Sequence, residues 1–210
     1  MGVRETYRKG SSMRGFVVMV VLNLVMFVLP AQAREPAEVV KEFQTVLLEV
    51  MKQAESLGYE GRYERLKPAV LASHDIPFIA RLTVGKYWKT FSKEEQALFL
   101  RMFEQLSVAA YAGRFDGYHG EQFTVLSQKP LPRDKVLVET LFTKANGEQL
   151  HFHYLLRAVG KDWRIINITV DGVSDLAVKR AEYTSLVKDQ GFSALIDKMK
   201  EQISRYANGR

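Results

Sequence analysis

The sequence predicts an α+β fold: N-terminal helices, a four-stranded antiparallel meander sheet, C-terminal helices, and an apolar pocket between sheet and helices. Three observations carry this. Apolar residues recur at helical spacing from about 36 to 113. The period changes to two between 121 and 170. Asp171-Gly172 then ends the strand pattern, and helical spacing returns.

Val39, Val40, Phe43, Val46, Leu47, Val50, Ala54 and Leu57 form one stripe and predict a first helix, with Pro36 acceptable in its opening turn. Gly58 and Gly61 interrupt, and a short helix is expected over Arg62–Ala72, kinked or started by Pro68. Asp75-Ile76-Pro77 is a second break before the apolar stretch Phe78–Trp88, in which Gly85 is the weak point. Ser92-Lys93-Glu94-Glu95 reads as a capping box: the Ser92 hydroxyl accepts from the Glu95 amide while the Glu95 carboxylate reaches back. It opens a helix carrying Phe99, Met102, Phe103, Leu106 and Ala110 on one face, with Gly113 as the expected stop.

Strands are expected over Glu121–Ser127, Lys135–Thr143, Leu150–Val159 and Asp162–Val170. Asn146-Gly147 is the hairpin signal between the second and third, on the expectation that both turn residues take positive φ. Gly160-Lys161-Asp162 turns the third into the fourth. Ser174 can cap a helix running to about Gln190, Gly191 closes it, and Ser193 can cap a last amphipathic helix with Leu195, Ile196, Met199 and Ile203.

The chain has 210 residues, 30 Lys+Arg against 24 Asp+Glu, four His and no Cys. That excludes a disulfide scaffold, a Cys-ligated zinc site and a thiol nucleophile. The first 33 residues read as a secretory signal. Arg4, Arg8, Lys9 and Arg14 form a basic start, Phe16–Leu29 is uncharged, and Pro30-Ala31-Gln32-Ala33 ends in a small-x-small cleavage pattern. The uncharged run falls short of the roughly 20 residues a spanning helix needs. Cleavage after Ala33 is therefore expected, with an uncleaved inner-membrane anchor as the alternative. It would leave a 34–210 domain exported to the periplasm, with 26 cations against 23 anions. Such a balance does not argue for nucleic acid.

Catalytic motifs are missing: no G-x-S-x-G elbow, P-loop, G-x-G-x-x-G or H-E-x-x-H occurs. His151 and His153 share a strand face that Glu139 could join, but a lone H-x-H lacks a third fixed ligand, so neither a metal nor any other cofactor is expected. Asp116, Asp171 and Tyr154 are the conceivable acid–base participants. Asp116-Gly117 and Asp171-Gly172 read more simply as turns, and no catalytic residue is assigned. The aromatics say more. Phe78, Tyr87, Trp88, Phe91, Phe99, Phe103, Tyr111, Phe115 and Tyr118 crowd the segment before the sheet. They serve either as a filled core or as the lining of a cavity for an acyl chain or polycyclic lipid.

Several stretches, in order along residues 36–206, resemble the MlaC-type family of periplasmic phospholipid-binding, toluene-tolerance proteins. They are Phe78-Ile79-Ala80-Arg81-Leu82-Thr83-Val84-Gly85-Lys86-Tyr87-Trp88, Phe91-Ser92-Lys93-Glu94-Glu95-Gln96 with Phe99 and Phe103, and Trp163-Arg164-Ile165-Ile166-Asn167 followed by Asp171-Gly172-Val173-Ser174. Tyr111-Ala112-Gly113-Arg114-Phe115-Asp116-Gly117-Tyr118 and Arg180-Ala181-Glu182-Tyr183 look closest to the hopanoid-associated HpnM branch. The chain departs from the family at Asn167, where Asp is usual, and at Asp171, where Glu is usual.

The resemblance implies an NTF2-like, cone-shaped sheet and a lipid carrier, expected as a monomer. Such a carrier would take phospholipid or hopanoid from an inner-membrane ABC-type complex and deliver it to an outer-membrane acceptor, or the reverse. No enzyme activity is implied. Strand parity and helix face point to Phe78, Leu82, Tyr87, Phe103, Leu106, Tyr111, Val125, Val136, Val138, Phe152, Tyr154, Ile166, Ile168 and Val170 as the lipid-facing set. Two other readings stay open: a periplasmic adaptor with a filled core, and an enzyme acting on an apolar substrate.

Overall fold

The computed structural model describes residues 1–2 and 34–209. The expected signal therefore lies outside the described residues, apart from its first two.

Helix α1 (Pro36–Lys52) begins on Pro36 and buries Val39, Val40, Phe43, Leu47 and Val50, the expected stripe. It does not continue to Leu57. Gln53 leaves helical geometry at φ −112°, and α2 (Ala54–Ser73) starts one residue later. Arg62 spans this break, donating from Nη1 to the Ala54 carbonyl at 3.1 Å and from Nε to the Ala112 carbonyl at 2.9 Å. Within α2, Gly58 alone is non-helical, at φ 59°, a value open to glycine because it lacks Cβ. Pro68 sits inside α2 without breaking it, and the helix covers 54–73 rather than 62–72.

Asp75 caps α3 (Ile76–Val84) by accepting the Phe78 amide at 3.1 Å. The same carboxylate meets Arg157 on the sheet at 2.6 Å, which pins the start of α3 to its third strand. The helix stops at Val84 and a 3-10 turn covers Gly85–Thr90. Helix α4 (Lys93–Arg114) opens with the expected capping box: Glu95 N donates to Ser92 Oγ at 3.1 Å, and Ser92 N donates to Glu95 Oε2 at 2.8 Å. Gly113 is not its stop. It lies inside the helix, where a Cβ would sit 2.8 Å from Tyr206 Cδ1.

The sheet has five strands rather than four: β1 (Gln122–Leu131), β2 (Lys135–Thr143), β3 (Gln149–Val159), β4 (Asp162–Val170) and β5 (Val173–Ser174). They lie side by side in chain order, all neighbours antiparallel. The extra strand is two residues folded back by the Asp171-Gly172 turn, too short to show a period of two. The β2–β3 turn also differs from expectation. Gly147 takes φ 85° while Asn146 does not become positive, and Gly147 N donates to the Lys144 carbonyl at 2.9 Å. The turn proper is Ala145-Asn146 and Gly147 is the left-handed residue after it, the three-residue hairpin alternative.

Helices cover the face of the sheet that bears Val136, Val138, Thr140 and Phe142, the buried alternation of β2. Two bulges modify the register: one in β1 between Val125 and Ser127, and one in β4, where Ile166 has no partner between Ile165, opposite Leu156, and Asn167, opposite Leu155. Strand β1 is an edge ten residues long, with Lys129 and Pro130 near its end. The final helix, α5 (Asp175–Ala207), starts where Ser174 Oγ accepts the Ala177 amide at 3.2 Å. It was expected as two helices. In the structure Gly191 alone departs from helical geometry, at φ 84°, and the helix resumes at once.

Candidate functional site

A cavity of about 680 Å³ lies between the covered face of the sheet and the helices. Pockets that bury most of a drug-sized ligand run from roughly 300 to 1,000 Å³. Leu47 and Met51 reach it from α1, Ile76 and Ile79 from α3, and Phe103, Ala110 and Tyr111 from α4. The sheet contributes Phe142, Phe152, Tyr154, Ile165, Ile168 and Val170, and α5 contributes Leu176 and Val178.

The cavity runs from a closed end to an open one. Tyr154 and Ile165 are fully buried, Phe142 and Phe152 less so, and Val173 and Val178 are exposed. Polar and charged groups gather at the open end: Arg114 at the end of α4, Asp116, His119 and Glu121 after it, Lys144 after β2, and Asp175 with Lys179 at the start of α5. Most of these charges have partners. Lys179 Nζ meets Asp175 at 2.6 Å, Lys144 meets Glu148 at 2.8 Å, and Arg114 donates to Tyr206 Oη at 2.9 Å. Burial raises the Glu121 carboxyl, but the His119 amide, donating at 2.6 Å, helps hold it below the usual range. The rim is thus polar and close to charge-balanced, with no open cluster of one sign.

The closed end carries polar side chains that the sequence did not single out. His74, between α2 and α3, bonds through Nε2 to Tyr111 Oη at 2.9 Å. Its Nδ1 lies 3.2 Å from the Val70 carbonyl and 2.8 Å from Ser73 Oγ, whose own proton goes to the Ala69 carbonyl at 2.6 Å. The acceptor set assigns the imidazole proton to Nδ1, so Nε2 accepts from Tyr111. Burial lowers the His74 pKa to about 4, so the ring is neutral near pH 7. The same burial raises the Tyr111 and Tyr154 phenols. Phe43 braces this corner, edge-on to His74 at 4.9 Å and to Tyr111 at 5.0 Å. Beside it, Gln44 bridges Thr140 Oγ1 at 3.0 Å and Tyr154 Oη at 3.3 Å.

Of the residues expected to face lipid, the structure brings Phe103, Tyr111, Phe152, Tyr154, Ile168 and Val170 together around the cavity. Leu106, Val136 and Val138 are buried in the packed core instead. Ile166 is buried but off the cavity, because the β4 bulge hands its place to Ile165. Val125 faces the same side as Thr140, yet it lies on the edge strand and is 37% exposed. Phe78 lies against Arg157, whose guanidinium is 4.1 Å from the ring centre, and Leu82 and Tyr87 are half-buried elsewhere. Leu47 belongs to the helix stripe legible in the sequence, but nothing local marks it, Met51 or Ile79 as lining rather than core.

His151, His153 and Glu139 lie on the uncovered face, with His153 directly opposite Glu139. Glu139 is held by Ser127 and by Lys129 at 2.9 Å, and no metal-holding group of three such side chains occurs among the described residues. Asp171 serves its turn, accepting the His151 amide at 2.8 Å.

Among the described residues, no helix is long and apolar enough to cross a membrane. Comparison with known proteins adds three findings. The family model described as MlaC protein matches residues 41–201. The chain is similar to the intermembrane phospholipid transport system binding protein MlaC of Haemophilus influenzae, at 23% identity over 135 residues. That alignment spans 62% of this chain and 63% of the relative, less than two thirds of its length. The fold is similar to that of a phospholipid-binding protein from Ralstonia solanacearum, solved in complex with a phospholipid. The TM-score is 0.74 at 16% identity, covering 83% of this chain and 99% of the other.

Proposed function

The chain belongs to the MlaC protein family, and from that premise we propose that it is a periplasmic phospholipid carrier. The observation that carries the proposal is the cavity of about 680 Å³, lined mostly by apolar side chains and rimmed by charges of which most are paired. An adaptor with a filled core has no use for such a space. The names of its relatives in Haemophilus and Ralstonia support phospholipid as cargo.

The division of labour follows from solvation. Each buried methylene is worth about 0.8 kcal/mol, so an acyl chain crosses water poorly by itself. Lined by Phe103, Phe152, Ile168 and Val170, the cavity holds the tails while the headgroup stays at the rim. Residues 1–33 direct export and are removed, leaving 34–210 as the working domain. This domain acts as a monomer between an inner-membrane ABC-type complex and an outer-membrane acceptor. The chemistry is non-covalent throughout: binding, shielding and release.

Native mass spectrometry of protein recovered from a bacterial periplasm, followed by organic extraction, tests this. One phospholipid per chain is the expected result, and an extracted hopanoid would replace the cargo while keeping the carrier. A protein that is empty and also takes up no offered phospholipid would sink the proposal.

A further inference from the structure

The closed end of the cavity is not apolar, and its hydrogen-bonding capacity is unspent. Gln44, Thr140 and Tyr154 are buried together, at 3%, 0% and 1% exposure. Between them they carry four donor protons: two on the amide and one on each hydroxyl. The two bonds that join them use two of the four. In both bonds the Gln44 amide is the donor, so the Thr140 and Tyr154 hydroxyl protons lack an acceptor among the described residues, and Tyr154 is the member of the trio that lines the cavity. A buried donor without a partner costs about 1–3 kcal/mol, so a site shaped this way favours an occupant that supplies an oxygen.

Across the same space Tyr111 is the complement. Its proton goes to His74 Nε2, as the proton on Nδ1 requires, and the lone pairs of its hydroxyl are left as acceptors. The closed end therefore offers a donor from the Tyr154 cluster and an acceptor from Tyr111. A hydroxyl is the group that both gives and takes in this way. Plain acyl ends do neither.

Resting on the carrier reading above, we infer that the cavity is selective for a lipid alcohol whose hydroxyl lies at the buried end of its apolar body, received by Tyr154 and Tyr111.

The test uses two probes that differ only there, hexadecanoyl and ω-hydroxyhexadecanoyl lysophosphatidylcholine. Each is titrated against a bound fluorescent phospholipid on the 34–210 domain secreted with its own leader. Wild type, Tyr154→Phe and Thr140→Val are compared. Loss of one neutral hydrogen bond in a dry site corresponds to about tenfold in affinity. The hydroxylated probe should weaken about tenfold in Tyr154→Phe relative to the plain one, and less in Thr140→Val, which disturbs the cluster from behind. The readout is the ratio of the two probes within each protein, so a change in the cavity that affects both probes equally is divided out. An unchanged ratio in both variants overturns the inference and leaves the spare donors to a bound water. If wild type binds neither probe nor the fluorescent phospholipid, the carrier reading itself has failed.

Discussion

His74 shows how much one side chain's chemistry depends on where the fold puts it. In sequence it is one of four histidines next to a helix break, with nothing to distinguish it. In the fold it is bonded on both nitrogens and buried, and burial outweighs the opposing pull of the Val70 carbonyl to lower its pKa from 6.5 to about 4. Between those values the unfolded chain binds the extra proton and the folded chain does not, so stability rises with pH across that window. Acidification from roughly pH 6.5 to 4 should remove about 3 kcal/mol through this residue alone. Urea unfolding at about pH 7 and pH 4.5 checks it: the loss between the two should shrink in His74→Gln, even though that variant starts less stable. An equal loss in both proteins would mean that His74 titrates normally.

Among the elements, β4 marks the limit of what periodicity can tell. Strand parity placed Ile166, Ile168 and Val170 on one face, and the last two do line the cavity. The bulge at Ile166 shifts the alternation by one, so Ile165 rather than Ile166 faces inward on the other side of it. A bulge has no fixed sequence signal, and parity alone cannot see one. By contrast the capping box at Ser92 was legible because two reciprocal bonds need only two residues at fixed spacing. Gly113 was misread for a related reason: glycine stops helices, but it also admits close neighbours. Here it admits Tyr206, whose ring is held in place by Arg114 donating to its hydroxyl at 2.9 Å. Gly113→Ala should therefore destabilise the domain by about 1–3 kcal/mol through overpacking. Thermal unfolding measures this, and a melting temperature equal to wild type would show that Tyr206 yields freely.

For the molecule as a whole, the order of elements could be read from the sequence, whereas the distinction between core and cavity could not. Val138 and Ile168 look alike as inward residues of neighbouring strands, yet the first is sealed in the core and the second borders open space. That difference depends on how the helices lie over the sheet, which no local pattern encodes. It makes the two sites respond differently. Ile168→Trp should fill the cavity, keep the fold and lower the amount of phospholipid that co-purifies. Val138→Trp should overpack a closed core and lower the melting temperature by an amount set by about 1–3 kcal/mol or more. Similar lipid loss and similar melting in both variants would contradict this map of the cavity. Strand β1 has a consequence of another kind. Its outer edge is ten residues of backbone that pair with no further strand among the described residues, and Leu126 stands half-exposed on it. Such an edge invites a second copy to add on, and long unguarded ones seed fibres. Pro130 withholds an amide, Lys129 adds charge, and the kink at Val125–Ser127 spoils the straight run. Replacing Lys129 and Pro130 with Val should leave single molecules folded while the concentrated protein gels or precipitates, which light scattering over a day would follow. Those two residues act between molecules: they oppose the edge-to-edge joining of one sheet to another.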